Sequence, residues 1–260
     1  MKIALYQIDA FADEVFKGNP AAVCPLEEWL DDDVMQAIAV ENNLSETAFF
    51  VANNDAYDLR WFTPVAEVDL CGHATLATAH VVFEHIDPKA GEVRFDTRSG
   101  RLGVTRGPDG LLAMDFPAQP GGELAVGEEM IEALGAEPSY LFGGEDFMAV
   151  FERQSQISAI EPDFAALKKL ARRGVIITAP GEEVDFVSRF FAPKYDIPED
   201  PVTGSAHCML TPYWADRLGK TQLSARQISP RGGDLACALE GDRVRISGRA
   251  SEYMKGEITL

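Results

Sequence analysis

Apolar residues in the first half of the chain alternate with polar ones, or run unbroken between turn residues, over residues 2–8, 57–62, 92–95, 102–105 and 111–116. Short runs of this kind predict β-strands. The same texture returns at residues 147–151, 174–178, 184–191, 235–239 and 243–247. Helical patterns are fewer. Residues 31–42 open with three acids, which suit the positive end of a helix dipole; 127–134 is short; 163–172 ends in cations before Gly174. Residues 72–85 are apolar on nearly every side and 204–218 almost so, the composition of a helix surrounded by protein. Each half is therefore expected to hold many strands and one buried helix, an α+β organisation.

The halves also repeat one another. Arg60, Trp61, Phe62, Thr63 and Pro64 parallel Arg189, Phe190, Phe191, Ala192 and Pro193, and in both copies a glycine and a buried helix follow. Gly72 comes 12 residues after Arg60 and Gly204 comes 15 after Arg189, so the second copy carries a three-residue insertion before its helix. This order points to an internal duplication. The stretch 117–122, rich in proline and glycine, is the natural boundary between domains at 1–116 and 117–260, with terminal strands free to cross over.

Composition narrows the partners. With 23 basic and 42 acidic residues the formal charge is −19, which opposes sustained contact with nucleic acid or an anionic membrane. No apolar run is long enough to span a bilayer, and the first residues alternate without the apolar core of a signal peptide, so a cytoplasmic protein is expected. Cys24, Cys71, Cys208 and Cys237 form no C-x-x-C pair, and His73 and His80 belong to no zinc-binding pattern. Reduced, buried thiols and no metal are the expectation.

Chemistry concentrates at the starts of the two buried helices. Gly72 and Gly204 each open one, and the next residues, His73 and Ser205, are polar where an apolar core should begin. The first N–H groups of a helix lack internal partners and carry the positive end of its dipole, and a glycine there lets an anion approach the backbone. Two such ends suit a small carboxylate-bearing ligand, even in an acidic protein, because amide dipoles act at short range. Taken singly, either glycine only permits a tight turn. Glu199, Asp200, Thr203, Ser205 and His207 surround the second helix start, where Asp200 before Pro201 reads as a turn or cap. Glu46 stands where a helix has ended and an apolar strand begins; by position alone it is an exposed acid. Asn19, before a proline, reads as a turn residue and stays outside the candidate site. Acids and a histidine capable of moving protons are present, but the residues by themselves do not choose the base.

GNPAAV from Gly18, NLSETAFF from Asn43, DLCGHATLA from Asp69 and DPVTGSAH from Asp200 together resemble the PhzF-like family of phenazine-biosynthesis isomerases, over nearly the whole chain. The resemblance implies a diaminopimelate-epimerase-like fold: two pseudo-symmetric domains, each an antiparallel β-barrel around a central helix, with the active site in the cleft between them. It also implies a homodimer and a cofactor-independent isomerase. Carried over residue by residue, the catalytic set falls on Glu46, His73 and Asp200, and the substrate-binding set on Gly72, Gly204 and Ser205. Glu46 would take a proton from one carbon and return it to another, as in the allylic isomerisation of trans-2,3-dihydro-3-hydroxyanthranilate. In related epimerases and racemases two cysteines face one another; here the first position resembles Cys71 and the second falls on Thr203, which disfavours the two-thiol form. A racemase or epimerase of an amino or hydroxy acid, and a non-catalytic metabolite-binding protein on the same fold, are the alternative readings.

Overall fold

The computed structural model describes all 260 residues, which form two compact units: residues 1–115 with 247–260, and residues 116–246.

In the first unit, β1 (Lys2–Ala10) and β2 (Asn19–Leu26) are antiparallel, and α1 (Asp32–Asn42) carries the chain to β3 (Glu46–Asn53), which runs parallel to β2. β4 (Ala56–Phe62) returns antiparallel to β3 and pairs with the two-residue β5 (Glu67–Val68). Then come α2 (Gly72–Val81), β6 (Glu92–Thr97) parallel to β4, β7 (Gly100–Arg106) and β8 (Leu112–Pro117). In β2, Ala22 and Cys24 face α1 while Ala21 and Val23 alternate to the opposite side; all four are buried. A strand covered on both faces reads as the unbroken apolar run seen here. α1 lays Met35, Ile38 and Ala39 on Ile3, Leu5, Phe49 and Phe62. The other face packs on α2, which touches β1, β2 and β3 and is buried from His73 to Ala79.

The second unit repeats this ladder. It begins with β9 (Gly122–Leu124), α3 (Glu128–Leu134), β10 (Tyr140–Gly143) and β11 (Phe147–Val150). Next come α4 (Gln154–Ala159), α5 (Phe164–Leu167), β12 (Val175–Pro180) and β13 (Phe186–Ala192). It closes with β14 (Ile197–Asp200), α6 (Gly204–Leu218), β15 (Gln222–Gln227), β16 (Gly233–Glu240) and β17 (Arg243–Gly248). From β10 to β16 the pairings alternate antiparallel, parallel, antiparallel, parallel, antiparallel, the sequence found from β1 to β7. The fold is the expected α+β one. Its ladders are mixed rather than purely antiparallel, because each helical crossover returns the chain in the direction it left. The last strand, β18 (Ala250–Thr259), pairs with β1 and belongs to the first unit.

The duplication is visible in single side chains. Arg60 on β4 makes a two-pronged bond to Glu67, at 2.7 and 2.8 Å, and lies over Phe62. Arg189 on β13 grips Glu199 in the same way, at 2.7 and 2.9 Å, and lies over Phe191. The partners are 7 residues apart in the first copy and 10 in the second. The three extra residues fall between Pro193, the counterpart of Pro64, and Glu199, where the chain makes a short 3₁₀ turn, Pro193–Tyr195, ahead of the helix.

Some expected boundaries shift. α5 spans only Phe164–Leu167, against an expected 163–172: Lys169 and Leu170 bond back three residues, and this tighter turn delivers Leu170 into the core. α2 likewise ends at Val81 and passes into a π-helical turn, Val82–Ile86. β2, α4, β10, β15 and β18 had no strong sequence signal.

Candidate functional site

In the first unit Glu46, His73 and Cys71 come together. α1 ends with Asn43 in the left-handed region (φ 49°), and this abrupt stop places Glu46 as the first residue of β3, opposite Ala21 of β2. Strand alternation sets Glu46 on the face shared by Ala48 and Phe50, while Phe49 points to α1. Glu46 is therefore buried, 8% exposed, rather than the surface acid its position suggested. His73 lies in the first turn of α2, and its Nε2 sits 2.9 Å from Glu46 Oε2. The two atoms face one another off the line of a hydrogen bond, and both are buried with no other protein partner.

The opposite edge of the imidazole is fixed. Asn19 Nδ2 lies 3.2 Å from His73 Nδ1, and Ser45 Oγ donates to Asn19 Oδ1 at 3.2 Å. In the neutral ring, with the amide turned this way, Nδ1 accepts and the proton is on Nε2, on the side of the carboxylate; protonation adds a proton at Nδ1. Asn19 is fully buried at the head of β2, just after Gly18, whose φ of +65° and close approach to the Ala10 carbonyl exclude a side chain. Sequence reading left Asn19 out as a turn residue; the signal that could have found it is a polar side chain followed by an unbroken apolar strand.

Burial works against the charge on His73, but the facing Glu46 carboxylate favours it, and its pKa lies above the usual histidine value. Burial, reinforced by the Glu46 charge, pushes the Cys71 thiol up to about 11. Glu46, Cys71 and His73 place one ligand atom each within 4.8 Å of one another, which raises the question of a metal. The sulfur, however, lies 3.5 Å from Nδ1, whereas the carboxylate faces Nε2. An ion bound through Nε2 would have Glu46 beside it and the thiol against the other nitrogen. The set is better suited to moving protons.

Asp200, Gly204 and Ser205 gather at the start of α6 in the second unit. Thr203, the residue before the helix, donates its hydroxyl to Asp200 Oδ2 at 2.5 Å. Gln227, fully buried at the end of β15, accepts from Thr203 N at 2.9 Å and donates to the Asp200 carbonyl at 2.7 Å. Ser205 Oγ accepts from Arg173 Nη2 at 3.0 Å. Gln227 and Arg173 were not singled out from sequence; both come from distant parts of the chain. Neither Cys71 nor Thr203 caps its helix with a side-chain hydrogen bond, so the first amides at Gly72 and Gly204 are not closed off in that way.

His207 has a different role from the one its neighbourhood suggested. Its Nδ1 donates to the Thr203 carbonyl at 2.8 Å, as the Thr75 hydroxyl donates to the Cys71 carbonyl at 2.6 Å in the other copy. Burial lowers its pKa to about 4, so it is a neutral structural residue. All four cysteines are free and buried.

A mixed ladder around one buried helix, present twice in the chain, defines the diaminopimelate-epimerase-like class. Residues 8–256 match the family model for phenazine biosynthesis-like proteins, and the chain belongs to that PhzC/PhzF family. It is 54% identical over 260 residues to an uncharacterised isomerase of Pseudomonas aeruginosa, covering 100% of both chains. A PhzF-family crystal structure from Enterococcus faecalis superposes with a TM-score of 0.98 at 50% identity, again over 100% of each chain. A predicted epimerase from Pseudomonas aeruginosa shares the fold, with a TM-score of 0.76 and 20% identity over 99% of each chain. No helix is long and apolar enough to cross a membrane.

Proposed function

We propose that this protein is an isomerase that moves a proton between carbons of a small, unsaturated carboxylic acid, with Glu46 as the group that carries it. The observation that supports this most is the buried Glu46–His73 pair, whose facing atoms have no other protein partner. Glu46 removes a proton from a carbon flanking a double bond, the double bond shifts along the three-carbon unit, and the same carboxyl returns the proton to its far end. One C–H bond breaks and another forms, with no net change in atoms or electrons, so the reaction needs neither oxidant nor reductant. His73, held by Asn19, keeps Nε2 beside the carboxylate and relays exchangeable protons. Asp200 holds a polar group of the substrate. The amides at Gly72 and Gly204 and the Ser205 hydroxyl receive its carboxylate or the negative charge that develops in the transition state.

The P. aeruginosa relative is named as an isomerase, which agrees with the class of reaction. An epimerase working through two thiols is disfavoured: Cys71 holds its proton up to about pH 11, and Thr203 has its hydroxyl committed to Asp200. Incubation with a panel of cyclic dienoic and amino-carboxylic acids in deuterated water separates the readings. The proposal expects double-bond migration, with any deuterium appearing on a carbon other than the one that lost hydrogen. Deuterium at the original carbon, with loss of chirality, would replace the proposal with an epimerase.

A further inference from the structure

Arg173 is a cation of the second unit that touches a candidate site residue, Ser205, and has no part in the proton transfer itself. It lies after α5, far in sequence from α6, yet its guanidinium meets three acidic or polar groups together. Nε and Nη2 grip Asp146 at 3.0 and 2.6 Å, Nη1 reaches Glu145 at 3.2 Å, and Nη2 also reaches Ser205 Oγ at 3.0 Å. Its plane lies over the Phe190 ring at 5.6 Å. Asp146 is only 3% exposed, so one face of the fork is fixed by a buried carboxylate. A two-pronged bond of this kind sets direction as well as distance, which a lysine could not reproduce.

Resting on the functional reading above, we propose that Arg173, anchored by Asp146, is a positioning residue that turns the Ser205 hydroxyl into a dedicated donor for an anionic group of the substrate. An arginine can only donate, so at this contact Ser205 Oγ must accept. The hydroxyl proton is thereby directed away from the guanidinium. The remaining donor capacity of Ser205 points to a partner that only accepts, such as a carboxylate. Phe190 sits on the strand gripped through Arg189, and pairs directly with Asp200 in the β13–β14 ladder, so the same strand supports both Asp200 and the arginine that orients Ser205.

The test is a double-mutant cycle with Arg173→Met, Ser205→Ala and the pair, on an acid that the wild type turns over or, failing turnover, binds. Arg173→Lys is the conservative control, and Arg173→Met with Asp146→Leu removes both charges in case the lone Asp146 carboxylate prevents folding. The expected result is a rise of about ten-fold in KM or Kd for Ser205→Ala, the scale of one charge-assisted hydrogen bond. Arg173→Met should show a similar rise, the double variant should be no worse than Ser205→Ala, kcat should change less than KM, and lysine should rescue poorly. Multiplicative losses, or an unchanged KM in Arg173→Met, would overturn the proposal. If the wild type binds none of the acids, the functional reading fails, and the side-chain rotamer of Ser205, read from Hα–Hβ couplings, decides the positioning claim. One fixed rotamer that becomes averaged in Arg173→Met supports it, and no change refutes it.

Discussion

The two arginine–glutamate grips look alike but should not be worth the same. Arg189 is buried to 12% side-chain exposure and Glu199 to 13%, and no second cation pairs with Glu199. The same guanidinium also donates to the carbonyls of Ile157 and Ile160 at 3.0 and 2.7 Å. Arg189→Met leaves a buried carboxylate uncompensated and strips a donor from both carbonyls, a loss of about 3–5 kcal/mol. Arg60→Met removes the same two-pronged bond, but Glu67 keeps Arg98 at 2.7 Å, and the other partner lost, Asp32, is exposed. That loss should be nearer about 2 kcal/mol, the scale of a hydrogen bond to a charged group. Urea unfolding followed by circular dichroism measures both losses on one scale. Replacing the whole pair, Arg189→Met with Glu199→Leu, should recover most of the stability, because no charge is then left unpaired. Equal losses for the two single variants, or a larger one for Arg60→Met, would refute the reasoning.

Three further outcomes follow from the charge states. The His73 ring should titrate above the usual histidine midpoint of 6.5 in NMR, and its contribution to stability should be complete below that pH and lost as pH rises through the folded midpoint; Glu46→Gln should bring the midpoint down. His207 behaves in the opposite sense: the unfolded chain takes up its proton near pH 6.5 and the folded protein only near 4, so stability should fall by up to about 3 kcal/mol as pH drops through that window. An NMR signal from His207 titrating near 6.5 would contradict this. Cys71, buried and with its thiol pushed up to about 11, should resist iodoacetamide at neutral pH in the folded protein and react only on unfolding, as read by mass spectrometry.

The buried helices were legible because α2 and α6 are apolar on nearly all sides, and the duplication because Arg60 and Arg189 carry the same strand, turn and helix behind them. β2 and β18 were harder to read for opposite reasons. Pro20 and Pro25 make residues 19–26 look like a loop, although both fit within the paired strand, whereas β18 is exposed along most of its length and shows no apolar period. The helix starts at Gly72 and Gly204 were read correctly, and so was the placement of His73 and Ser205 in their first turns. Their supports were not. Asn19, Gln227 and Arg173 reach the clusters across 54, 24 and 32 residues of sequence, and hydrogen bonds over such spans leave no local pattern. Glu46 seemed exposed because an acid opening a strand usually is; its burial depends on which face the strand turns to α2, and that is fixed by the register with β2.

The central claim, that Glu46 carries a proton between carbons of a carboxylic acid, is tested most directly by isotope exchange with wild type and Glu46→Gln in deuterated water. The acid panel, including trans-2,3-dihydro-3-hydroxyanthranilate, is followed by NMR and mass spectrometry. Glutamine keeps the shape of the side chain and removes its proton chemistry. The wild type should move the double bond, with any deuterium on a carbon other than the one that lost hydrogen, and Glu46→Gln should lose at least about a hundred-fold in rate, the lower end of what a positioned acid–base group contributes. Equal rates in the two proteins would contradict it.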